Sequence, residues 1–403
     1  MALKHVEMLI DSGTEGREIR VRNARSEDAR RIQALYSEVY GSSYSVSVVT
    51  DREKMKKAIA SDDYFWLVGE HEGRIIASLF YTLDRTQRIS KALGAVVSNE
   101  YRKLNLANTL MRFILDAIIS AGWADVVYAT TRTANTAPQQ LTEGLGFAPL
   151  GIFPNAHKVF ENETHCLAGH FIPQSWQHRR APAVLLEELE PLHRLAGQSL
   201  AKFGVELEKP ELVRAEDSGR EPPVKNAPQI PFEIIDAPHF AAHRWRAHGN
   251  SGVFENAYVP FHEPNLILLS HDQKTEIYIH YSEKDGYSAI LGGRSEEKDL
   301  SVILRSAANA LRELKVSYVE HLVDAYSPQL QQQALHARFL PSAYFPAMRL
   351  HGGKRWDYII FSHSFDMLDF RNVSLMPAYR QYLKQYLQIW DKLYIETALT
   401  GKK

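Results

Sequence analysis

At 403 residues, 45% of them hydrophobic and 24% charged, the chain has room for more than one globular core and is not disordered in composition. Its formal net charge of -1 excludes a global electrostatic drive toward nucleic acid or anionic membrane. Cys166 stands alone, so no internal disulfide forms, and the charged N-terminal stretch lacks the apolar run of a secretory signal; the cytoplasm is the expected compartment.

Residues 1–17 read as an N-terminal extension. Residues 17–23 alternate polar and apolar, the pattern of a half-buried strand. Ser26 offers an N-cap to a helix whose apolar face is Ile32, Leu35, Tyr36 and Val39. A second helix is predicted over 51–60. Strands at 64–70 and 74–83 flank Glu72-Gly73, a short polar turn that makes them an antiparallel hairpin, and 93–97 is a further strand. The clearest helix covers 106–121, with Leu106, Leu110, Phe113, Ile114, Ala117, Ile118 and Ala121 on one stripe and Gly122 closing it. Its most apolar part is interrupted by Asp116 and is too short to span a bilayer. A strand at 125–130, a short helix at 136–143 ended by Gly144, and strand from Phe147 onward complete a mixed α/β sheet with one crossover helix.

Residues 173–231 change character: a helical segment around 184–203, interrupted at Pro191, precedes a charged, Pro-rich run at 208–231 that reads as an exposed linker. Strands resume at 232–235, 266–270, 275–281 and 287–292, followed by a long helix at 299–314, a strand at 318–323, a helix at 328–336 and further strands. Residues 379–395 form an amphipathic packing helix with Tyr382, Tyr386, Ile389 and Leu393 on one face. The halves repeat. Gly146-Phe147-Ala148-Pro149-Leu150-Gly151-Ile152-Phe153-Pro154 parallels Arg338-Phe339-Leu340-Pro341-Ser342-Ala343-Tyr344-Phe345-Pro346, and each follows a Gln-bearing helix (Gln139-Gln140; Gln331-Gln332-Gln333), a strand and a long amphipathic helix.

The stretch that carries chemistry is Leu93-Gly94-Ala95-Val96-Val97-Ser98-Asn99-Glu100-Tyr101-Arg102-Lys103-Leu104-Asn105-Leu106-Ala107-Asn108. A strand runs into a loop that opens a long helix, whose first N–H groups lack intrahelical partners. With Arg102 and Lys103 beside them, an anion is expected there.

This stretch resembles the GNAT acyltransferase superfamily, whose signature is a strand ending in Val-x-Pro, a basic Tyr-Arg, then Arg/Gln-x-x-Gly-x-Gly/Ala at the helix start. Here Asn99 stands where Pro is usual and Asn105 where Gly is usual. Asn is the non-glycine residue that best tolerates positive φ, so the loop can keep its shape. Asn135-Thr136-Ala137-Pro138-Gln139-Gln140-Leu141-Thr142-Glu143-Gly144-Leu145-Gly146-Phe147 resembles the family's second signature, with Thr142 in place of the usual tyrosine acid.

The resemblance implies two GNAT-like mixed-sheet α/β domains in tandem: residues 18–172 binding acyl-CoA, and a degenerate copy at 232–403 in which Glu296, Glu297 and Asp299 repel a pyrophosphate and Gly292-Gly293 is a strand-end turn. It implies that Ala95, Val96, Val97, Arg102, Lys103, Leu104, Asn105, Leu106, Ala107, Asn108 and Asn135 hold the coenzyme, with acetyl-CoA or another acyl-CoA as co-substrate. The implied activity is N-acetyl transfer to a primary amine by direct attack; a non-catalytic acyl-CoA sensor or scaffold and a longer-chain donor are the alternatives.

Direct transfer needs a proton acceptor and a proton donor but no enzyme nucleophile, so Cys166 reads as a buried structural residue. Glu70, His71 and Asp84, at strand ends, are candidate bases and Thr142 a candidate acid. His239 and His243 have the i, i+4 spacing of a metal pair but no third ligand, so no metal is expected. His157, His165 and His170 are candidates for an acceptor pocket, while Tyr344-Phe345-Pro346 and Trp356-Asp357-Tyr358 read as core strand. The expected partner is a small-molecule or peptide amine, with no nucleic acid and no membrane; a homodimer is left open.

Overall fold

The computed structural model describes residues 6–11, 18–41, 44, 46–158, 161–218, 229–396 and 399. It divides into two compact units, Met1–Thr130 with Gly169–Ser175, and Thr131–Ala168 with Trp176–Lys403. The fold is mixed α/β.

The first unit contains β1 (Glu7–Asp11), β2 (Glu18–Asn23), α1 (Ala29–Tyr40), α2 (Ser47–Thr50), α3 (Arg52–Ala60), β3 (Tyr64–His71), β4 (Arg74–Asp84), β5 (Ile89–Val97), α4 (Leu106–Ser120) and β6 (Val126–Arg132) as far as Thr130. Each strand pairs antiparallel with the next except β5 and β6, which run parallel from Ile89↔Val126 to Ala92↔Ala129 with α4 as the crossover. Ile32, Leu35 and Tyr36 of α1, Met55 of α3 and the stacked rings of Trp66 and Phe80, 4.2 Å apart, form one core. On α4 the buried stripe is Leu106, Leu110, Met111, Ile114, Leu115 and Ile118. Each such side chain contributes about 1.5–3 kcal/mol relative to exposure. The predicted stripe was rotated by one position: Phe113 and Ala117 sit at its edge.

Three local expectations for this unit are corrected. The segment assigned to an extension contains β1, which pairs with β2 from Glu7↔Arg22 to Asp11↔Glu18; its residues 1–5 and 12–17 lie outside the described residues. Ser26 opens a short 3-10 turn instead of capping α1, and the carboxylate of Asp28 closes that turn by accepting from Arg25 N at 2.8 Å. Asp51, included in the second helix, is its N-cap, accepting from Glu53 N and Lys54 N.

The second unit contains α5 (Ala137–Gly144), β7 (Ala148–Lys158), β8 (Asn162–Phe171) as far as Ala168, α6 (Pro173–Gln177) from Trp176 onward, β9 (Val184–Leu186), α7 (Glu190–Ala201), β10 (Glu211–Val213), β11 (Phe232–Asp236), α8 (Pro238–His248), β12 (Leu266–Ser270), β13 (Thr275–Ser282), β14 (Tyr287–Ser295), α9 (Leu300–Glu313), β15 (Tyr318–Asp324), α10 (Pro328–His336), β16 (Leu340–His351), β17 (Lys354–Ser364) and α11 (Pro377–Asp391). Its strands lie in the order β8-β7-β16-β17-β15-β14-β13-β12-β11, with β14 and β15 parallel from Tyr287↔Tyr318 to Ile290↔His321. From β11 onward the elements are strand, helix, three antiparallel strands, helix, parallel strand, helix and hairpin; residues 18–171 follow the same order except that α1, α2 and α3 stand where the later segment has α8 alone.

The matched segments form β7 and β16, and in both the residue after Phe-Pro has positive φ: 58° at Asn155 and 51° at Ala347. The matched glutamines are both buried and bond backbone from a distant segment. Gln139 accepts from Met376 N at 2.9 Å and donates to Ser374 O at 2.8 Å, just ahead of α11. Gln331 accepts from Leu186 N at 3.0 Å and donates to Val184 O at 3.1 Å, just ahead of α7.

The division expected near residue 172 does not coincide with the compact units. β7 pairs with β16 at Gly151↔Ala343, so closely that a Cβ on Gly151 would lie 2.2 Å from the Ala343 Cβ. The β7–β8 hairpin therefore packs with the second unit. Pro191 does not interrupt a helix; it occupies the first turn of α7, where its missing N–H costs no intrahelical bond. The linker read at 208–231 carries β10, which pairs parallel with β9, while residues 219–228 lie outside the described residues. Gly292 and Gly293 are not a strand-end turn but paired members of β14, opposite Tyr278 and Ile277.

Candidate active site

The strand that leads into the candidate anion cradle is bulged. Across β4 and β5 the register passes from Ser78↔Val96 to Phe80↔Leu93, so Gly94 and Ala95 together oppose Leu79. Gly94 has φ of 65°, and a Cβ there would stand 2.3 Å from the Phe80 ring and 2.6 Å from the Tyr36 hydroxyl, so only glycine fits. Tyr36 donates to the Gly94 carbonyl, and Tyr40 donates to the Ala95 carbonyl at 3.2 Å. Burial pushes the Tyr36 hydroxyl well up, which keeps it a donor. The recorded β5–β6 ladder ends at Ala92, so Ala95, Val96 and Val97 lie beyond it.

The loop after β5 is anchored at both ends. Ser98 is buried; its N donates to Ile76 O at 2.8 Å and its hydroxyl to Glu38 Oε1 at 2.6 Å. Residues 99–104 form a 3-10 turn in which Tyr101 is buried, its hydroxyl 3.0 Å from His71 Nδ1. Arg102 and Lys103 project into solvent from this turn. Asn105 then takes the left-handed conformation, φ 55° and ψ 20°, as the residue before α4. Its side chain makes no cap to the helix, and the first α4 amide bonded back is that of Thr109, to Asn105 O at 3.1 Å. The amides of Leu106, Ala107 and Asn108 precede that bond and have no intrahelical acceptor. The turn thus brings together Arg102, Lys103, Leu104, Asn105, Leu106, Ala107 and Asn108 at one helix head with positive electrostatic character.

Asn135 and Thr142 belong to the second unit. Asn135 is exposed, and its Oδ1 accepts from Ala137 N at 3.0 Å to start α5. Thr142 is buried on α5, and its hydroxyl donates back to the helix, 3.0 Å from Gln139 O and 3.2 Å from Pro138 O.

The proposed bases also have structural partners. Glu70 accepts from Arg22 Nε at 2.9 Å and from Arg31 Nη1 at 3.0 Å. Burial pushes its carboxyl up, but these two guanidinium groups outweigh it and hold the group below the usual carboxylate range. Asp84 Oδ1 accepts from Thr86 N, Thr86 Oγ1 and Gln87 N, closing the turn after β4. His71 is tied to Tyr101. Cys166 is buried and burial pushes its thiol up, so it stays protonated at neutral pH.

In the second unit His157 and His165 stack with ring centroids 4.3 Å apart, and His165 lies 3.8 Å from Glu163. His239 and His243 are exposed on α8, and among the described residues no group of three or more His, Cys, Asp or Glu could hold a metal ion. No helix among the described residues is long and apolar enough to cross a membrane. The loop before α9 differs from that before α4: Asp299 Oδ1 accepts from Ser301 N at 2.9 Å, Gln333 Oε1 from Leu300 N at 2.9 Å, and Asp299 O from Val302 N at 3.0 Å.

Tyr36, Tyr40 and Glu38 were not singled out in the sequence as site residues. Tyr36 fits an apolar helix face, and nothing local marks a hydroxyl that reaches a carbonyl 58 residues later.

Residues 29–147 match the acetyltransferase (GNAT) family model. The matched GNAT region contains the bulged strand, the anchored loop, the head of α4 and the α5 signature. No curated protein matches the chain. Among solved structures, the chain is similar to an acetyltransferase of the GNAT family from Streptococcus pneumoniae, at 21% identity over 38% of this chain and 100% of that one, with a TM-score of 0.34. It is similar to the ribosomal-protein-S5-alanine acetyltransferase from Vibrio fischeri at 17% identity over 41% and 96%, TM-score 0.35. It is also similar to the microcin C7 self-immunity acetyltransferase, solved with acetyl-CoA and AMP, at 10% identity over 38% and 92%, TM-score 0.33. The GNAT match supports acetyltransferase activity in general terms and leaves the amine unspecified.

Proposed function

We propose that the GNAT region binds acyl-CoA through its diphosphate at the head of α4 and transfers the acyl group, acetyl in the first instance, to a primary amine of a small molecule or peptide by direct attack. The observation that carries this reading is the junction at Asn105. A left-handed residue without a side-chain cap leaves three helix-head amides facing outward, next to two exposed cations. The backbone of Ala95, Val96 and Val97, past the end of the parallel ladder, offers polar groups for an extended arm to pair with. When bound, the thioester supplies an activated acyl carbon. The chain's part is to grip the diphosphate and position that carbon. Cys166, buried and protonated, takes no share in the chemistry, which accords with attack by the amine itself.

Calorimetry on the full chain with acetyl-CoA tests the binding half, and thiol release with a panel of amines tests the transfer half. Reversing both charges, Arg102→Glu with Lys103→Glu, is expected to weaken acetyl-CoA by about tenfold or more through like-charge repulsion. Unchanged affinity would move the diphosphate elsewhere.

A second reading, an acyl-CoA sensor, is favoured by the engaged hydroxyl of Thr142 and the paired carboxylate of Glu70. Tight binding with no thiol release from any amine selects it. Comparing acetyl-CoA with a long-chain acyl-CoA decides the donor.

A further inference from the structure

We infer that the second unit holds a pocket for a small polyanion, walled by α9, the end of α10 and the end of β17. The cavity measures about 350 Å³, and its lining includes Arg305, Arg312, His336, Arg338, His363 and Phe365. No Asp or Glu is among its described lining residues.

Several other arginines of the chain meet carboxylates: Arg22 with Asp28, Arg88 with Asp125, Arg179 with Asp357, Arg244 with Glu276. Among the described residues Arg305, Arg312 and Arg338 have no carboxylate within ion-pair distance. What they do have positions them without neutralising them. Arg305 Nε donates to Ser301 O at 3.1 Å on its own helix, and the Arg338 guanidinium sits over the Tyr394 ring, 5.1 Å from its centroid. His363 Nδ1 faces the Arg338 carbonyl at 3.1 Å, which leaves Nε2 as the ring's other polar atom. Burial, and with it the charges of Arg338 and Arg312, holds that ring below the ordinary histidine range despite this hydrogen bond. An anion in the cavity would offset both charges.

The number of cations describes the ligand. Arg305 and Arg312 stand two turns apart on one face of α9, and Arg338, just after α10, lines the same cavity. Three guanidinium groups offer more charge and more donors than one carboxylate can take up, whereas a pyrophosphate or a tricarboxylate carries enough anionic oxygens to engage more than one of them.

The test uses the full chain carrying Arg102→Glu and Lys103→Glu, so that the helix head of α4 cannot supply the signal. Inorganic pyrophosphate, citrate and acetate are titrated separately by calorimetry at low salt. Saturable binding of pyrophosphate, citrate or both, with acetate silent, is the expected result, and which of the two binds says whether phosphoryl or carboxylate groups are read. Adding Arg312→Gln with Arg338→Gln should weaken that binding by about tenfold or more, while Arg312→Lys alone weakens it less. Melting curves of the unliganded variants check folding; removing like charges should leave the midpoint unchanged or raised. No heat with either polyanion, or binding indifferent to the Arg312/Arg338 pair, overturns the inference.

Discussion

Glu70 decides between two roles, and the substitution Glu70→Gln separates them. Its side chain is 18% exposed, while that of its partner Arg22 is 6% exposed. It accepts from Arg22 at 2.9 Å and from Arg31 at 3.0 Å. A hydrogen bond to a charged group contributes about 1.5–3 kcal/mol net. Glutamine keeps one carbonyl acceptor and turns an N–H2 toward one guanidinium, so about one such bond is lost. Arg22 keeps Asp28 at 2.6 Å and is not orphaned, which places the cost near the lower end, about 2 kcal/mol. For a unit of this size that corresponds to a midpoint lowered by roughly 5 °C. A carboxylate held by two guanidinium groups is a weak base, so thiol release should change by no more than about threefold, against the factor of about 10²–10⁴ that losing a general base removes. Thermal melting and thiol release on the same preparation measure both quantities. A hundredfold loss of turnover with an unmoved midpoint would refute the structural assignment and restore Glu70 as the base.

Gly94→Val should cost about 2–5 kcal/mol, the sum of left-handed strain and overpacking against Phe80 and Tyr36, read by urea denaturation. A neutral Gly94→Val would mean that the bulge can relax. Asn105→Val should lower stability by about 1–2 kcal/mol and weaken acetyl-CoA, whereas Asn105→Gly should keep both, as melting and calorimetry will tell. Acid should unfold the second unit from a definite pH. Burial holds His165, His193 and His321 at about 4, below the ordinary 6.5. These imidazoles stay neutral in the fold while the unfolded chain protonates. Stability is therefore full above pH 6.5, falls by about 1.4 kcal/mol per pH unit for each histidine below it, and levels off near pH 4. A flat stability profile between pH 6.5 and 4 would contradict the burial of these rings.

The periodic elements were legible because a single face decides them. The long helix, the 64–84 hairpin and the 328–336 helix stand where their apolar spacing and turns put them, and Asn105 adopts the positive φ that its residue type allows. What was hidden depends on distant partners. Arg22 reads as a polar position on a strand, yet it is buried because Asp28 and Glu70 meet it there. Pro191 looks like a breaker until it is seen to lie in the first turn of α7. The two glutamines look like surface residues of short helices, and only the fold shows them bonding the chain ahead of α11 and α7. The bonding of the catalytic candidates was hidden for a related reason: strand ends collect polar side chains, but sequence does not say that Glu70 meets Arg22 and Arg31 or that Asp84 closes a turn.

The crossover helices α4 and α9 begin in opposite ways, and the difference is a trade of stability against binding. At α9 the chain supplies its own acceptors: Asp299 and Gln333 take the first amides, and Glu297 Oε1 accepts from Asp299 N at 2.8 Å. A side-chain cap of this kind stabilises a helix by about 0.5–2 kcal/mol, and its negative charge suits the positive end of the dipole. The same groups exclude an external anion, since the amides are occupied and the local charge is negative. At α4 no side chain caps, the residue before the helix is left-handed, and the nearest charges are Arg102 and Lys103. That helix forgoes the stabilisation α9 enjoys, and two like charges sit beside the positive end of its dipole. Such an arrangement is unfavourable in isolation and becomes favourable when an anion completes it, so ligand at α4 should stabilise the first unit in proportion to RT ln(1 + [L]/Kd). One kind of helix start thus carries an internal cap in one half of the chain and an open seat in the other, and the open one lies inside the GNAT region.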